Sequence, residues 1–328
     1  MTQKLSRRVV AAAALLTTLV GATPAALAQN WPDKPVRLVV GAPAGGGVDV
    51  AARVLAERLT PLLGQQVIVD NKPGAAGLIG AGDLLKSPRD GSTFMVQLNG
   101  LVSEIPHAVK VPFDPMKTLR PLAELSRFGL VMAANAQVPA NSLPEFVNYS
   151  KANKGKINYA SYSAGTLSHT LGVELNKAAG LDMVHIAYKG SPPALQDLMG
   201  GQVQVSFDAA GNVEPHVKSG RVKVYATTSP QRLPMFPDVP TFAELGYKDM
   251  TEIIWIGLWT TPDMPAPIQQ KMREATLKAL QDPKLREAYV KMGWAMGGNA
   301  TPDELMASLK TSSEKQAAAL QAIGFKPE

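Results

Sequence analysis

The sequence predicts an α/β protein built as two lobes around a cleft, and three observations carry that reading. Short apolar runs of strand length alternate with helical patterns from Val36 onward. The alternation comes in two series, one before and one after about Arg127. Each series contains a strand-to-helix junction that is small, uncharged and rich in glycine or hydroxyl side chains. Strands and helices alternating through short loops are the grammar of a parallel sheet covered by helices. Ligands of such sheets bind outside the carboxyl ends of the strands, often between domains.

The chain opens with an export signal. Lys4, Arg7 and Arg8 form a basic start, residues 9–20 are apolar, and Ala26-Leu27-Ala28 is a small-x-small cleavage site, so residues 1–28 are set aside and the mature chain is expected to begin at Gln29. Ser6-Arg7-Arg8 does not choose between the general and twin-arginine routes. The first series has strands at 36–40, 67–69 and 93–98. Its helices are 49–63, closed by Gly64, and 77–86, closed by Ser87-Pro88-Arg89-Asp90-Gly91. The second series opens with strand 130–134. Ser142-Leu143-Pro144-Glu145 is a capping-box pattern that starts a helix ending near Gly155. Strand 157–160, helix 167–179 before Gly180, strand 183–188, helix 193–199 and strands 203–207 and 222–227 follow. Thr241-Phe242-Ala243-Glu244 repeats the cap pattern and predicts a further short helix. Strand 253–259 and helices 266–280, 283–292 and 302–323 finish the chain, the last opened by Thr301-Pro302-Asp303-Glu304.

Composition narrows the function classes. The formal net charge of +6 falls to +3 without the signal, which carries three of the 33 basic residues and none of the 27 acidic ones. No basic cluster is interleaved with aromatics, which argues against nucleic acid. The absence of cysteine removes disulfides, thiolate metal sites and a cysteine nucleophile together. After the signal no run reaches the roughly 18 apolar residues of a membrane helix. About 300 residues bury a core without disulfides, most naturally as two domains. No metal site or cofactor follows from the sequence: His107, His185 and His216 are far apart and lack ligand spacing.

The junction from Val36 to Asp49 holds the most chemistry. A buried strand runs into Gly41-Ala42-Pro43-Ala44-Gly45-Gly46-Gly47, and a helix opens near Asp49. Backbone N–H groups at the positive end of a helix dipole suit a small anion. The glycines fit neither G-x-G-x-x-G nor a phosphate loop. The junction Ser161-Tyr162-Ser163-Ala164-Gly165-Thr166 precedes the 167–179 helix in the same way. Asp49 either contacts ligand or accepts N–H bonds that order its loop. Ser163 and Thr166 either contact ligand or cap their helix, and His169 either faces the cleft or packs. Asp208 ends strand 203–207 and is placed to meet a ligand hydroxyl or a bridging water. Tyr162, Phe207 and Trp259 either stack on a ligand or belong to the core. Ser163 with His169 and Asp49 or Asp208 has the residue types of a hydrolase triad, but Ser163 is not in a G-x-S-x-G elbow.

At this point the chain resembles the periplasmic solute-binding proteins of tripartite tricarboxylate transporters, the Bordetella uptake gene family. The resemblance spans residues 31–324 and rests on ordered motifs: Trp31-Pro32-Asp33-Lys34-Pro35-Val36-Arg37, Pro43-Ala44-Gly45-Gly46-Gly47-Val48-Asp49, Asn71-Lys72-Pro73-Gly74-Ala75-Ala76-Gly77, Asp90-Gly91-Ser92-Thr93, Phe113-Asp114-Pro115, Tyr188-Lys189-Gly190, Gly200-Gly201-Gln202-Val203 and Pro237-Asp238-Val239-Pro240-Thr241. It implies a two-lobed Venus-flytrap fold of the periplasmic-binding-protein type with two crossover strands, at 130–134 and 253–259. Residues 29–127 and 254–328 would form lobe 1, and 128–253 lobe 2. It also implies a carboxylate held mainly by backbone amides and water. Carried onto this sequence, the ligand-binding residues are Pro43, Ala44, Gly45, Gly46, Gly47 and Asp49 with Ser163, Ala164, Gly165 and Thr166, and His169 nearby; the strand-end Asp208 joins them from its position alone. Leu98-Asn99-Gly100-Leu101-Val102-Ser103 departs from the usual family pattern after the third strand.

The expected protein is therefore a periplasmic, monomeric, non-enzymatic binding protein. It captures a small di- or tricarboxylate, aromatic or not, and hands it to membrane permease subunits. A ligand-presenting module for a membrane sensor is the alternative.

Overall fold

The computed structural model describes residues 31–327, so the expected signal and its cleavage site lie outside the described residues. Two mixed sheets, each covered by helices, organise the described chain. The first has the strand order β11-β4-β10-β3-β1-β2 and the second β7-β6-β8-β5-β9. In chain order the first 128 residues supply β1 (Val36–Val40), α1 (Gly47–Leu63), β2 (Val67–Asn71), α2 (Leu78–Lys86), β3 (Thr93–Leu98), three one-turn helices α3 (Gly100–Ser103), α4 (Ile105–Ala108) and α5 (Pro115–Thr118), and β4 (Arg120–Phe128). Then come β5 (Leu130–Asn135), α6 (Leu143–Ala152), β6 (Asn158–Ser161), α7 (Leu167–Ala179), β7 (Val184–Ala187), α8 (Ser191–Met199), β8 (Val205–Ala209), α9 (Ala210–Lys218) and β9 (Val222–Thr227). β10 (Ile254–Thr260), α10 (Ala266–Ala279), α11 (Pro283–Lys291), β11 (Ala295–Met296) and α12 (Pro302–Ala322) complete the fold.

The two sheets share one plan. Three parallel strands (β2-β1-β3 and β7-β6-β8) meet an antiparallel strand that arrives from the other sheet, β10 in the first and β5 in the second. The strands fed by the βα units are parallel as expected, and each sheet becomes mixed where the antiparallel strand joins it. The cause is the chain path: a strand entering from the neighbouring sheet runs opposite to strands fed by βα crossovers.

Helix α1 shows how the sequence builds the layers. Val48, Ala51, Ala52, Leu55, Ala56 and Leu59 recur at helical spacing, are buried, and pack on β1 and β3 in the first core. Gly64 ends the helix in the left-handed conformation at φ 69°, with its N–H bonded to the Thr60 carbonyl at 3.1 Å. Helix α12 opens with a capping box, Glu304 N–H donating to Thr301 Oγ1 and Thr301 N–H to Glu304 Oε2. The Thr241–Glu244 box also forms, but the segment folds as turns and not as a helix. Gly246, at φ 92°, interrupts it after one turn.

The chain passes between the sheets twice, at Gly129 and through residues 228–253. The two passages lie side by side. Leu130 N–H donates to Thr228 Oγ1, Thr228 N–H to the Leu130 carbonyl, and Thr228 Oγ1 to the Glu252 carbonyl, at 2.9, 2.9 and 2.7 Å. Helix α12 is a third tie. Its Gln316 Nε2 donates to the Gly165 carbonyl at 2.6 Å, and its Oε1 accepts from Thr170 at 2.9 Å, while Leu305 and Leu309 pack under the first sheet.

A Cβ at Gly129 would lie 2.5 Å from the Ser229 backbone nitrogen and 2.4 Å from its Oγ, with no flexible chain end to yield. We expect Gly129→Ala to lower stability by about 2 kcal/mol, in the range of overpacked buried sites, as read by urea unfolding.

Candidate functional site

Both glycine- and serine-rich junctions open on the cleft between the sheets. The larger cavity there, about 410 Å³, is lined by Gly47, Val48, Phe128, Asp208, Asn212 and Trp294 among others. A second, about 380 Å³, is lined by Pro43, Gly77, Gln97, Glu104, Ser163 and Thr166 among others. Val48, Leu98, Tyr162 and Ile254 border both, so the two are ends of one cleft.

Gly46 caps α1 with no side-chain bond, and the first-turn N–H groups of Gly47 and Val48 have no protein acceptor among the described residues. Orphan amides at a helix start are anion donors. Asp49 is not beside them in the cleft. It is 2% exposed and accepts from Gly45 N–H at 2.8 Å, Arg53 Nε at 2.9 Å and Asn71 Nδ2 at 2.9 Å. Asn71 also donates to the Ala42 carbonyl at 3.1 Å. Burial pushes the Asp49 carboxyl up, but Arg53, Gly45 and Asn71 outweigh it and hold it below the ordinary value. Asp49 thus shapes the loop from beneath. Pro43 and Gly47 line the cleft, whereas Ala44, Gly45 and Gly46 do not.

In the second junction Ser163 and Thr166 reach the cleft, and Ala164 and Gly165 do not. Gly165 packs against Ala108, its N–H donating to His169 Nδ1 at 3.1 Å. His169 faces away from the cleft. It stacks on His185 with centroids 3.6 Å apart and borders a separate pocket with Tyr159 and Ile323. Thr166 Oγ1 donates to the Ser163 carbonyl at 2.7 Å and Ser163 Oγ to the Ala164 carbonyl at 3.4 Å, so Ser163 and His169 form no nucleophile–base pair. Phe207 and Trp259 are fully buried core residues, and of the three aromatics only Tyr162 borders the cleft.

Several cleft residues escape sequence reasoning. Residues 74–77 all have positive φ, including Ala75 at 46° and Ala76 at 53°, and Gly74, Ala76 and Gly77 line the second cavity. Non-glycine residues persist there only when their surroundings impose it, which is characteristic of ligand loops. The run Asn71–Gly77 was itself a visible signal, a third glycine-rich strand-to-helix junction. Gln97 wedges between Gly41 and Gly77, where a Cβ would lie 2.4 and 2.2 Å from its Nε2. Phe128 and Trp294 stack at 6.0 Å, and only tertiary folding unites them.

Glu104 is the most consequential omission. It stands on the first-sheet side of the cleft, yet its Oε2 accepts the Leu167 N–H at 2.9 Å, the first amide of α7 on the other side. The second helix terminus is thus already served by an acid of this chain. Burial pushes Glu104 up to about 7, the Leu167 N–H opposing and Glu252 reinforcing. Behind it a cavity of about 20 Å³ gathers Glu104, Glu174, Glu252 and Lys315. Burial likewise raises Glu174 to about 7, against the pull of Lys315.

A family model described as the tripartite tricarboxylate transporter family receptor matches residues 51–325. A UPF0065 protein of Bordetella bronchiseptica is 36% identical over 294 residues, 89% of this chain and 86% of its own length. The periplasmic binding protein BugD is 34% identical with a TM-score of 0.75, over 91% of this chain and 100% of its own. MatC of Rhodopseudomonas palustris, solved with bound malate, is 28% identical with a TM-score of 0.74, over 88% and 100% of the two chains.

Replacing Asp49 by Ala leaves the Gly45 N–H, Arg53 and Asn71 without their acceptor. We expect a loss of about 2 kcal/mol in denaturant unfolding and weaker ligand binding through a loosened loop. A second expectation concerns pH. Glu104 and Glu174 titrate near 7 when folded against 4.5 ordinarily, so they stabilise below 4.5 and lose that contribution as pH rises to 7. His169 and His185 are lowered by burial to about 4 and about 3 against 6.5, so their contribution is full above 6.5 and lost as pH falls. The two pairs oppose each other between about pH 4.5 and 6.5. A Glu104→Gln/Glu174→Gln variant should lose more stability than the parent on going from pH 6.5 to 4.5; an unchanged profile refutes the assignment.

Proposed function

The chain belongs to the receptor family of the tripartite tricarboxylate transporters, and from that premise we propose that it captures a small organic carboxylate in the periplasm for delivery to membrane permease subunits. The observation that carries this is the unpaired N–H pair of Gly47 and Val48 at a helix terminus, opening on a cavity of about 410 Å³. Such amides and the helix dipole hold an anion without a formal positive charge. MatC, which shares the fold at 28% identity, is seen with malate. That supports a carboxylate here without choosing one.

In this reading residues 31–127 with 254–327 and residues 128–253 act as the two lobes. The cleft residues Pro43, Gly47, Ser163, Thr166 and Asp208 contact ligand or its waters. Asp49, Gly45 and Gly165 position those loops, and His169 serves the fold of the second lobe. Ligand meets the α1 amides first, and closure brings the second lobe over it and excludes water. The paired passages at Gly129 and Thr228 are the natural hinge. Glu104 moves with the first lobe, so its bond to the Leu167 N–H links closure to the second helix terminus.

Titration calorimetry against mono- and dicarboxylates tests the proposal. A bound carboxylate at about a hundred times its Kd should add about 2.7 kcal/mol to unfolding stability. Ser163→Ala should change affinity with no turnover of any ester or amide in either form. Failure of every carboxylate to bind or stabilise would sink the reading.

A further inference from the structure

Charged side chains from both sides of the molecule meet beside the paired passages. Glu104 lies between α3 and α4, Glu174 on α7, Glu252 on the second passage and Lys315 on α12, and all four border the cavity of about 20 Å³. Lys315 is the one cation bordering it among the described residues. Its Nζ donates to Glu252 Oε1 and to the Asp249 carbonyl, and stands 3.6 Å from Glu174 Oε1. Glu174 Oε2 is enclosed without a hydrogen-bond partner. With every group ionised, three acids share a single cation, and that cation is already committed to Glu252 and Glu174.

Glu104 is the member whose surroundings change with the separation of the sheets. Its Oε2 reaches over to the Leu167 N–H at 2.9 Å, and the residue also lines the 380 Å³ end of the cleft. The elements packed around it bring no cation to replace Lys315. Tyr162 is held neutral by burial, and Thr170 and Gln316 bond each other. His107, on α4, is bonded to Ser313 of α12 at 2.8 Å and is held toward its neutral form by burial. A docked carboxylate therefore sets its charge against Glu252 with nothing to offset it. A docked carboxylic acid brings no charge, and its carbonyl oxygen still accepts the Leu167 N–H. With the sheets apart, Glu104 faces water in an open cleft, where the charged form costs little.

We propose that closure of the two lobes takes up a proton from water at Glu104, so that acid tightens the closed form and neutral pH loosens it. This rests on the closure reading given under the proposed function and adds a proton to it. In the closed arrangement burial raises Glu104 to about 7 against an ordinary 4.5, the Leu167 N–H opposing and Glu252 reinforcing. The form with the raised value binds more protons and is drawn out as pH falls. Between pH 7 and 4.5 each unit of acidification should favour closure by up to about tenfold, and above 7 the dependence ends. Ligand binding is linked to closure, so affinity follows the same slope.

The chain has no cysteine, so two introduced ones label it cleanly. Gln231→Cys and Val290→Cys, at exposed positions in the two proposed lobes, carry spin labels on the signal-free protein. Without ligand, the distance distribution between the labels should shift toward the closed form from pH 7.5 to 5. Glu104→Gln keeps an acceptor for the Leu167 N–H and carries no charge, so its distribution should be the same at both pH values. Calorimetry with malate, in buffers of different ionisation enthalpy, counts the protons. At about pH 5.8 the parent should take up about one proton more than Glu104→Gln, and at about pH 8.5 the two should agree; the difference cancels the protons of malate itself. An unchanged parent distribution, a shift that persists in Glu104→Gln, or equal proton counts at pH 5.8 overturns the inference. If the variant does not fold, the parent distances alone decide, and if malate does not bind, the ligand-free distances decide. Malate that binds without moving the labels at either pH removes the closure reading, and this inference with it.

Discussion

The molecule depends on one constraint: a strand beginning at Ile254 must lie between two strands that end by Phe128. β10 pairs with β3 on one side and β4 on the other, so the first sheet is continuous only when residues 254–260 have returned to it. That return obliges the chain to pass between the sheets twice. The passages are hydrogen-bonded at Thr228 and pressed together at Gly129. With the two passages side by side, the carboxyl-end junctions of the sheets face each other across a cleft. Everything argued about ligand follows from that placement.

Within the cleft, electrostatics is handled by dipoles and buried acids instead of ion pairs. The Asp49–Arg53–Asn71 group sits behind the glycine loop and fixes its shape, leaving the α1 amides free. On the opposite face Glu104 already occupies the Leu167 amide. The symmetrical clamp suggested by two similar junctions is therefore asymmetrical. One helix terminus is open, and the other is closed by an acid of the chain itself.

How much of this was legible in the sequence depended on whether the signal was local. Strands 93–98 and 222–227 and helix 167–179 were read to the residue, because apolar runs mark the strands and Gly180 closes the helix. β4 was missed since Arg120, Pro121, Glu124 and Arg127 break its alternation; Glu124 is nonetheless buried, against Arg127. The one-turn helices between Gly100 and Thr118 are too short to show a period. In the site, the glycine loops and Asp208 were visible as strand ends. The direction of His169 was not, because burial against His185 is decided by β7, a separate element. Phe128 and Trp294, 166 positions apart in sequence, meet only once the fold is complete.

The last helix adds one of the longest-range ties in the fold. The second sheet is made from one uninterrupted stretch, Leu130 to Thr227, and needs no later residue for its strands. The first sheet waits for β10, and the tie between Gln316 and the Gly165–Thr170 turn waits longer still. The middle of the chain therefore supplies all the strands of its own sheet, whereas the opening strands depend on a segment more than 150 residues later. Non-local pairing of this kind is slow to close, and β3, already beside β1, finds its second neighbour only more than 150 residues later. The cleft consequently draws its walls from residues 41 to 294, so no short segment of the chain contains it.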